Sequence, residues 1–223
     1  MNTSVEQDQG SGKIARVAVI VAHPDDETLW AGGLLLSHPE WSLFIVALCR
    51  GEDTDRAPRF MKALERLGAK GAMGNLDDGP DQFPLSSKHV EDAILALLPR
   101  LDFDVLLTHA PQGEYTWHRR HGEVSRVVQA LWRQGRIQAG ALWQFAYEDG
   151  GGTSTPRPQK GASLQLSLSD GIWRQKFEII TAVYGFSEDS WEARAATHAE
   201  AFNCFTVPGS MPPVAENGQA LTP

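Results

Sequence analysis

Cysteine is scarce: Cys49 and Cys204 are the two that the 223 residues contain. They lie far apart and match neither a disulfide framework nor a zinc ribbon, so they read as unpaired thiols of a reducing compartment. Long apolar runs are missing too. No stretch approaches the roughly 20 residues a membrane helix needs, and residues 1–12 lack the apolar segment of a secretion signal. The expected address is the cytoplasm. Positive charge is in deficit, with 20 Lys and Arg against 28 Asp and Glu and a formal charge of −8. Such a chain repels phosphate backbones and anionic lipid. That argues against nucleic-acid and membrane partners and still permits a local basic pocket. Neither a Gly-x-Gly-x-x-Gly nor a Gly-Lys-Ser/Thr turn occurs, which weighs against a metal-free nucleotide-binding domain. No internal repeat is visible.

What is present is alternation. Apolar residues make up 42% of the chain, enough for a sizeable core, and the length suits one α/β domain. Nearly continuous apolar runs at 16–22, 43–48, 104–108 and 141–146 read as strands buried on both faces, with a weaker one at 69–73. Between them, residues 26–37, 56–67, 89–98 and 118–132 carry apolar residues at a period of 3.6. This pattern predicts an α/β three-layer sandwich, a Rossmann-like and mainly parallel sheet with helices on both faces. Beyond Gly150 the order weakens into a loop at 150–161, an edge strand at 164–168 and helices at 170–183 and 187–202. The single domain is expected to span 14–206. A flexible tail precedes it at 1–13, and an extended or disordered tail with four prolines follows at 207–223.

Open parallel sheets bind ligands beyond the carboxyl ends of their strands. There stand His23, then Cys49-Arg50-Gly51-Glu52, Asp77-Asp78-Gly79, Thr108-His109 and Tyr147-Glu148. In Ala22-His23-Pro24-Asp25-Asp26-Glu27 a buried strand turns directly into a helix. Pro24 holds His23 extended, and the free N–H groups of the first helical turn favour ionised Asp25 and Asp26. His23 and Asp26 can converge on one Zn²⁺, with Asp25 beside them to act on water. Alternatively, Asp25 or Asp26 merely caps the helix. The turn has three carboxylates and no glycine, so it does not suit phosphate.

A second group follows the fourth strand: Gly113-Glu114-Tyr115-Thr116-Trp117-His118-Arg119-Arg120-His121. His118 and His121 are three apart and share a helix face. His121 also continues the stripe of Val124, Val128 and Leu131, so a core histidine is the alternative reading. Two imidazoles, a carboxylate and an open position would form a catalytic rather than a structural zinc site. His109 either lines the pocket or makes a turn hydrogen bond. Trp117 either stacks on a sugar face or packs inward, and Glu114 and Tyr115 shape the loop or touch substrate.

Together these motifs resemble the LmbE/PIG-L family of zinc-dependent N-deacetylases, with Ala22 to Glu27 matching its A-H-P-D-D-E signature and His118 to His121 its H-x-x-H pair. Arg50-Gly51-Glu52, Arg59 with Leu67-Gly68, and Asp78-Gly79 resemble the family's intervening sequence. The resemblance implies a hydrolase that removes an acetyl (acyl) group from an amide nitrogen of an N-acetylated sugar or related small molecule. It implies one Zn²⁺ on His23, Asp26 and His121, a place that other divalent metals also fit. Asp25 would be the general base, and His118 would steady the oxyanion and protonate the leaving nitrogen. Asp78 would line the substrate pocket with Arg50 or Arg59 nearby. One departure stands out: the family commonly has Asp where this chain has Arg120. A cation there disfavours a neighbouring imidazolium. Arg119 or Arg120 either recruits an anionic group on the substrate or faces solvent. The departure also sustains a rival function, a catalytically altered relative that binds a sugar-like ligand without hydrolysing it. Self-association into a homo-oligomer is left open.

Overall fold

A computed structural model describes residues 14–115 and 118–206, so the tails expected at 1–13 and 207–223 lie outside the described residues. In chain order the elements are β1 (Arg16–Val21), α1 (Asp26–Ser37), β2 (Ser42–Cys49), α2 (Arg56–Leu67), β3 (Lys70–Leu76), α3 (Ser87–Leu97), β4 (Asp102–Thr108) and α4 (Arg119–Arg133). Then come β5 (Gln138–Phe145), the two-residue strands β6 (Tyr147–Glu148) and β7 (Arg157–Pro158), β8 (Leu164–Ser167), α5 (Asp170–Glu178), α6 (Trp191–Ala195) and β9 (Ala199–Phe205).

The main sheet runs β3-β2-β1-β4-β5-β9-β8, parallel through β5 and antiparallel at β9 and β8. Side chains of a strand alternate between faces, and β1 shows why three layers result. Val17, Val19 and Val21 pack with Leu29 and Leu34 of α1 and Phe60 and Leu64 of α2. Ala18, Ile20 and Ala22 pack with Val90 and Ile94 of α3 and Val124 and Val128 of α4. The strand order reverses between β1 and β4, and a crevice opens at such a point. Both histidine motifs follow these two strands.

Three differences from the sequence reading have physical causes. The strand expected to be weak, β3, extends to Leu76 but contains two glycines. A Cβ on Gly71 would fall 2.4 Å from the Ile45 carbonyl oxygen, so close approach to β2 demands glycine there. The helix expected over 170–183 stays α-helical to Glu178 and then widens into a π-helical turn, Ile179–Val183. The helix expected over 187–202 is a correction: it holds only for Trp191–Ala195, and Ala199–Phe205 is strand. Alanines there favour helix, but pairing on both sides with β5 and β8 overrides that preference. The strand also places Glu200 under α1, where it accepts from the Gly33 and Leu34 amides, both at 2.7 Å, and pairs with Lys176 Nζ at 2.7 Å.

Cys49 and Cys204 are both free. Among the described residues no helix is long and apolar enough to cross a membrane.

Candidate functional site

Only Ala22, His23, Pro24 and Asp25 separate the buried end of β1 from the first turn of α1. Asp25 absorbs the reversal with φ 120° and ψ −30°, a region that side chains enter only under strain. It holds the N-cap position yet makes no side-chain capping bond, so capping does not explain it. Asp26 turns inward: Oδ2 accepts from the His23 amide at 2.8 Å and Oδ1 from Trp30 Nε1 at 3.1 Å. Glu27 is fully buried and accepts from the Asp25 amide at 3.0 Å and from the Thr28 and Tyr184 hydroxyls, each at 2.6 Å. It braces the strained turn.

On the other side of the crevice, His118 is the N-cap residue of α4 and His121 lies buried in its first turn. Glu114 organises this half. Its Oε2 accepts from His121 Nδ1 at 2.7 Å and from His109 Nδ1 at 2.8 Å, and its Oε1 from the Ala110 amide at 3.1 Å. The Ala22 amide donates to His109 Nε2 at 3.0 Å, so both nitrogens of His109 are engaged. His109 thus makes bonds at the strand end and stays out of the cleft.

The hydrogen-bond partners assign the tautomers. An ionised carboxylate only accepts, so His121 carries its proton on Nδ1 and leaves Nε2 bare. His23 mirrors it: Asp78 Oδ1 sits 3.0 Å from Nε2, which leaves Nδ1 bare. The two bare nitrogens lie 3.2 Å apart, and Asp26 Oδ2 lies 3.2 Å from His23 Nδ1 and 3.4 Å from His121 Nε2. Three lone-pair atoms in such contact repel one another unless a cation sits among them. The donors of a tetrahedral zinc site, with bonds near 2.0–2.1 Å, stand about 3.3–3.4 Å apart. The donor set and its spacing therefore fit a zinc-class ion, and without metal a proton takes that place. Burial alone would lower the pKa of His23, but bonds to Asp26 and Asp78 override it and raise it to about 9. Other groupings at metal-ligand spacing are His23, His118 and His121; Asp26, His109 and His121; and His23, Cys49 and Asp78.

A cleft of about 190 Å³ opens onto this triangle. Asp25 faces it, with burial first and the Asp26 charge second pushing its carboxyl well above the usual range. His118 faces it too, its rings 4.8 Å from His23 and 4.6 Å from His121. Burial and those imidazoles push His118 down to about 4, so it is neutral at pH 7. The resemblance implies an acid role for His118, with Arg120 disfavouring its imidazolium; the sources of the lowering are instead the pocket and the other histidines. Asp78 and Arg50 also line the cleft, paired through Arg50 Nε at 3.1 Å.

Arg59 and Arg120 do not. Arg59 is bonded to Asp55 at 2.8 Å and to the Val183 carbonyl at 3.2 Å. Arg120 is fully buried and faces neither solvent nor cleft, a correction to both expectations, because its donors are taken up by Asp77, Phe83 and Glu123. Arg119 is half-buried beside His118. Trp117 lies outside the described residues. The sequence reading missed four residues. Arg56 lines the cleft 3.8 Å from Asp25 and 4.6 Å from the Phe186 ring. Phe186 and Trp191 add aromatic walls from the chain's last third. Glu114 was expected to shape the loop or touch substrate, not to accept from two imidazoles. Its signal was a lone acid seven residues before a histidine, which means little until the loop folds back.

The family model described as PIG-L: GlcNAc-PI de-N-acetylase matches residues 18–132. The Uncharacterized protein L374 of Acanthamoeba polyphaga mimivirus is 23% identical over 124 residues, 49% of this chain, and the chain spans only 55% of that relative's length. The N,N'-diacetylchitobiose deacetylase of Pyrococcus horikoshii superposes with a TM-score of 0.64 at 16% identity, over 86% of this chain and 84% of its own. GalB, the 4-carboxy-2-hydroxymuconate hydratase of Pseudomonas putida KT2440, gives 0.60 at 17% identity, over 92% and 99%. The zinc-inhibited form of teicoplanin deacetylase Orf2 gives 0.59 at 14%, over 85% and 96%. At these identities the superpositions establish the fold, which serves deacetylases and a hydratase alike. The family match covers more than half of the 223 residues and both histidine motifs, and on that ground the chain belongs to the PIG-L family of de-N-acetylases.

Proposed function

We propose that this chain is a metal-dependent amide hydrolase that removes an acetyl group from the nitrogen of an N-acetylated sugar-like small molecule. The observation that carries the reading is the triangle of bare acceptors, His23 Nδ1, Asp26 Oδ2 and His121 Nε2, at the foot of a cleft that also holds a strained Asp25. These three side chains would hold Zn²⁺. When bound, such an ion supplies Lewis-acid chemistry, drawing charge from a carbonyl oxygen and making water more acidic.

The chain's own groups supply the rest. Asp25 accepts the proton of the attacking water; its raised pKa makes it a stronger base than an exposed carboxylate and then a competent acid toward the departing nitrogen. That proton leaves with the amine, and the acyl half departs as acetate, so a water is consumed and one C–N bond breaks. Neutral His118 offers an N–H bond to the developing oxyanion. With its pKa near 4, it serves poorly as the acid, which favours Asp25 for both transfers. Tyr115, Phe186 and Trp191 offer apolar faces to a sugar ring. Arg56, close to Asp25, steadies its charge once the proton has gone.

The test is a panel of N-acetyl compounds, among them glucosamine glycosides and chitin oligomers, presented to the zinc-loaded protein with free amine as the readout. Asp25→Asn should retain zinc and lose about 10²–10⁴ in turnover. Undiminished turnover removes Asp25 from the base role. Zinc binding with no amine released from any compound supports instead a ligand-binding relative.

A further inference from the structure

Arg120 is among the largest fully buried side chains of the protein. A guanidinium stays charged and carries five N–H donors, so burying it requires partners in every direction. They come from one loop and one helix. Nε donates to the Asp77 carbonyl, Nη2 to the Phe83 carbonyl at 2.8 Å and to the Asp77 carboxylate at 3.2 Å, and Nη1 to Glu123 at 2.6 Å. Glu123 also accepts from the Leu85 amide at 3.1 Å. The loop between β3 and α3 is thus held near both ends, at Asp77 and at Phe83 to Leu85, against α4.

Inside that span stands Asp78. Its Oδ1 accepts from Gln82 Nε2 at 2.9 Å and lies 3.0 Å from His23 Nε2. Arg120 is also the immediate neighbour of His121 on α4. The same turn of helix therefore presents one imidazole directly and, through the clamped loop, sets the tautomer of the other.

We propose that Arg120 is a positioning residue: it fastens the 77–83 loop to α4 so that Asp78 meets His23 Nε2 and His23 Nδ1 stays bare toward Asp26 and His121. This rests on the cation-site reading above and deepens it. It gives this buried arginine a specific task. Lysine cannot perform it, because a single ammonium cannot reach two carbonyls and two carboxylates in the fork geometry of arginine.

The test compares the full-length parent, Arg120→Lys, Asp78→Ala and the double variant. Zinc affinity is measured by competition with a chromophoric chelator, and histidine tautomers by long-range ¹H–¹⁵N NMR of the metal-free proteins above pH 9, where the His23 ring is neutral. Arg120→Lys should weaken zinc binding about 10–100-fold and should shift His23 away from the Nε2–H form. In the Asp78→Ala background the same change should cost under threefold, since the two residues act in one chain. Full additivity, or an unchanged His23 tautomer, overturns the proposal. Should Arg120→Lys not fold, Glu123→Gln loosens one arm of the clamp and should move affinity and tautomer the same way. No change in a folded Glu123→Gln overturns it equally. His121→Ala separates the two claims: undiminished zinc binding there would sink the cation site itself, whereas its loss leaves that reading standing whatever Arg120 does.

Discussion

Glu114 offers the sharpest check on the site's wiring, and the informative change is Glu114→Gln. The carboxylate takes three buried N–H donors, from His109, His121 and the Ala110 amide. A glutamine of the same shape can accept at one end only. With its oxygen toward the two imidazoles, its NH₂ faces the Ala110 N–H; with the amide flipped, both imidazoles lose their acceptor. The first orientation leaves one buried conflict, worth about 1–3 kcal/mol. For a domain of this size that lowers Tm by roughly 2–12 °C. The second effect falls on the cation. A neutral oxygen makes His121 Nε2 less basic and holds its tautomer less firmly, so zinc affinity should drop about 10–100-fold. Urea denaturation of the chelator-treated protein reads the first effect, and chelator competition reads the second. Zinc affinity within twofold of the parent, in a variant that has lost stability, would show that Glu114 serves the fold and not His121.

Lys176→Met should cost about 3–5 kcal/mol in denaturant unfolding, because it leaves Glu200 charged and buried with amide partners alone; a loss under 1 kcal/mol would contradict the pairing. Gly33→Ala should destabilise by about 1–3 kcal/mol, since its Cβ would fall 2.4 Å from two Leu168 methyl carbons. Leu168→Ala in the same chain should recover part of that in the same assay. The metal-free protein should also lose stability with rising pH. The folded pKa of His23, about 9, lies above its ordinary 6.5. Its contribution is therefore complete below pH 6.5 and disappears as pH climbs through 9. Thermal scans with chelator at pH 6.5, 7.5 and 9 should show Tm falling and zinc-loaded samples holding level. A flat profile without metal would mean that no proton occupies the triangle.

Much of the architecture was readable from local pattern. The helices expected at 26–37 and 56–67 are α1 and α2, and the apolar run at 16–22 is β1, because period and burial are properties of neighbouring residues. His23, Asp26 and His118 to His121 were recognisable for the same reason: each motif is contiguous, and each follows a strand at the ligand edge of the sheet. Tertiary structure decided everything that depends on residues far apart in the chain. It made a strand of 199–205, where alanines favour helix, because β5 and β8 offered two partners. It turned Arg120 inward, because Asp77 and Phe83, some forty residues earlier, supply the acceptors a buried guanidinium requires. It brought Arg56, Phe186 and Trp191 to the cleft, and it set one carboxylate, Glu114, between two imidazoles. A side chain's local spacing states which partners it can use; only the folded chain states which ones come within 3 Å.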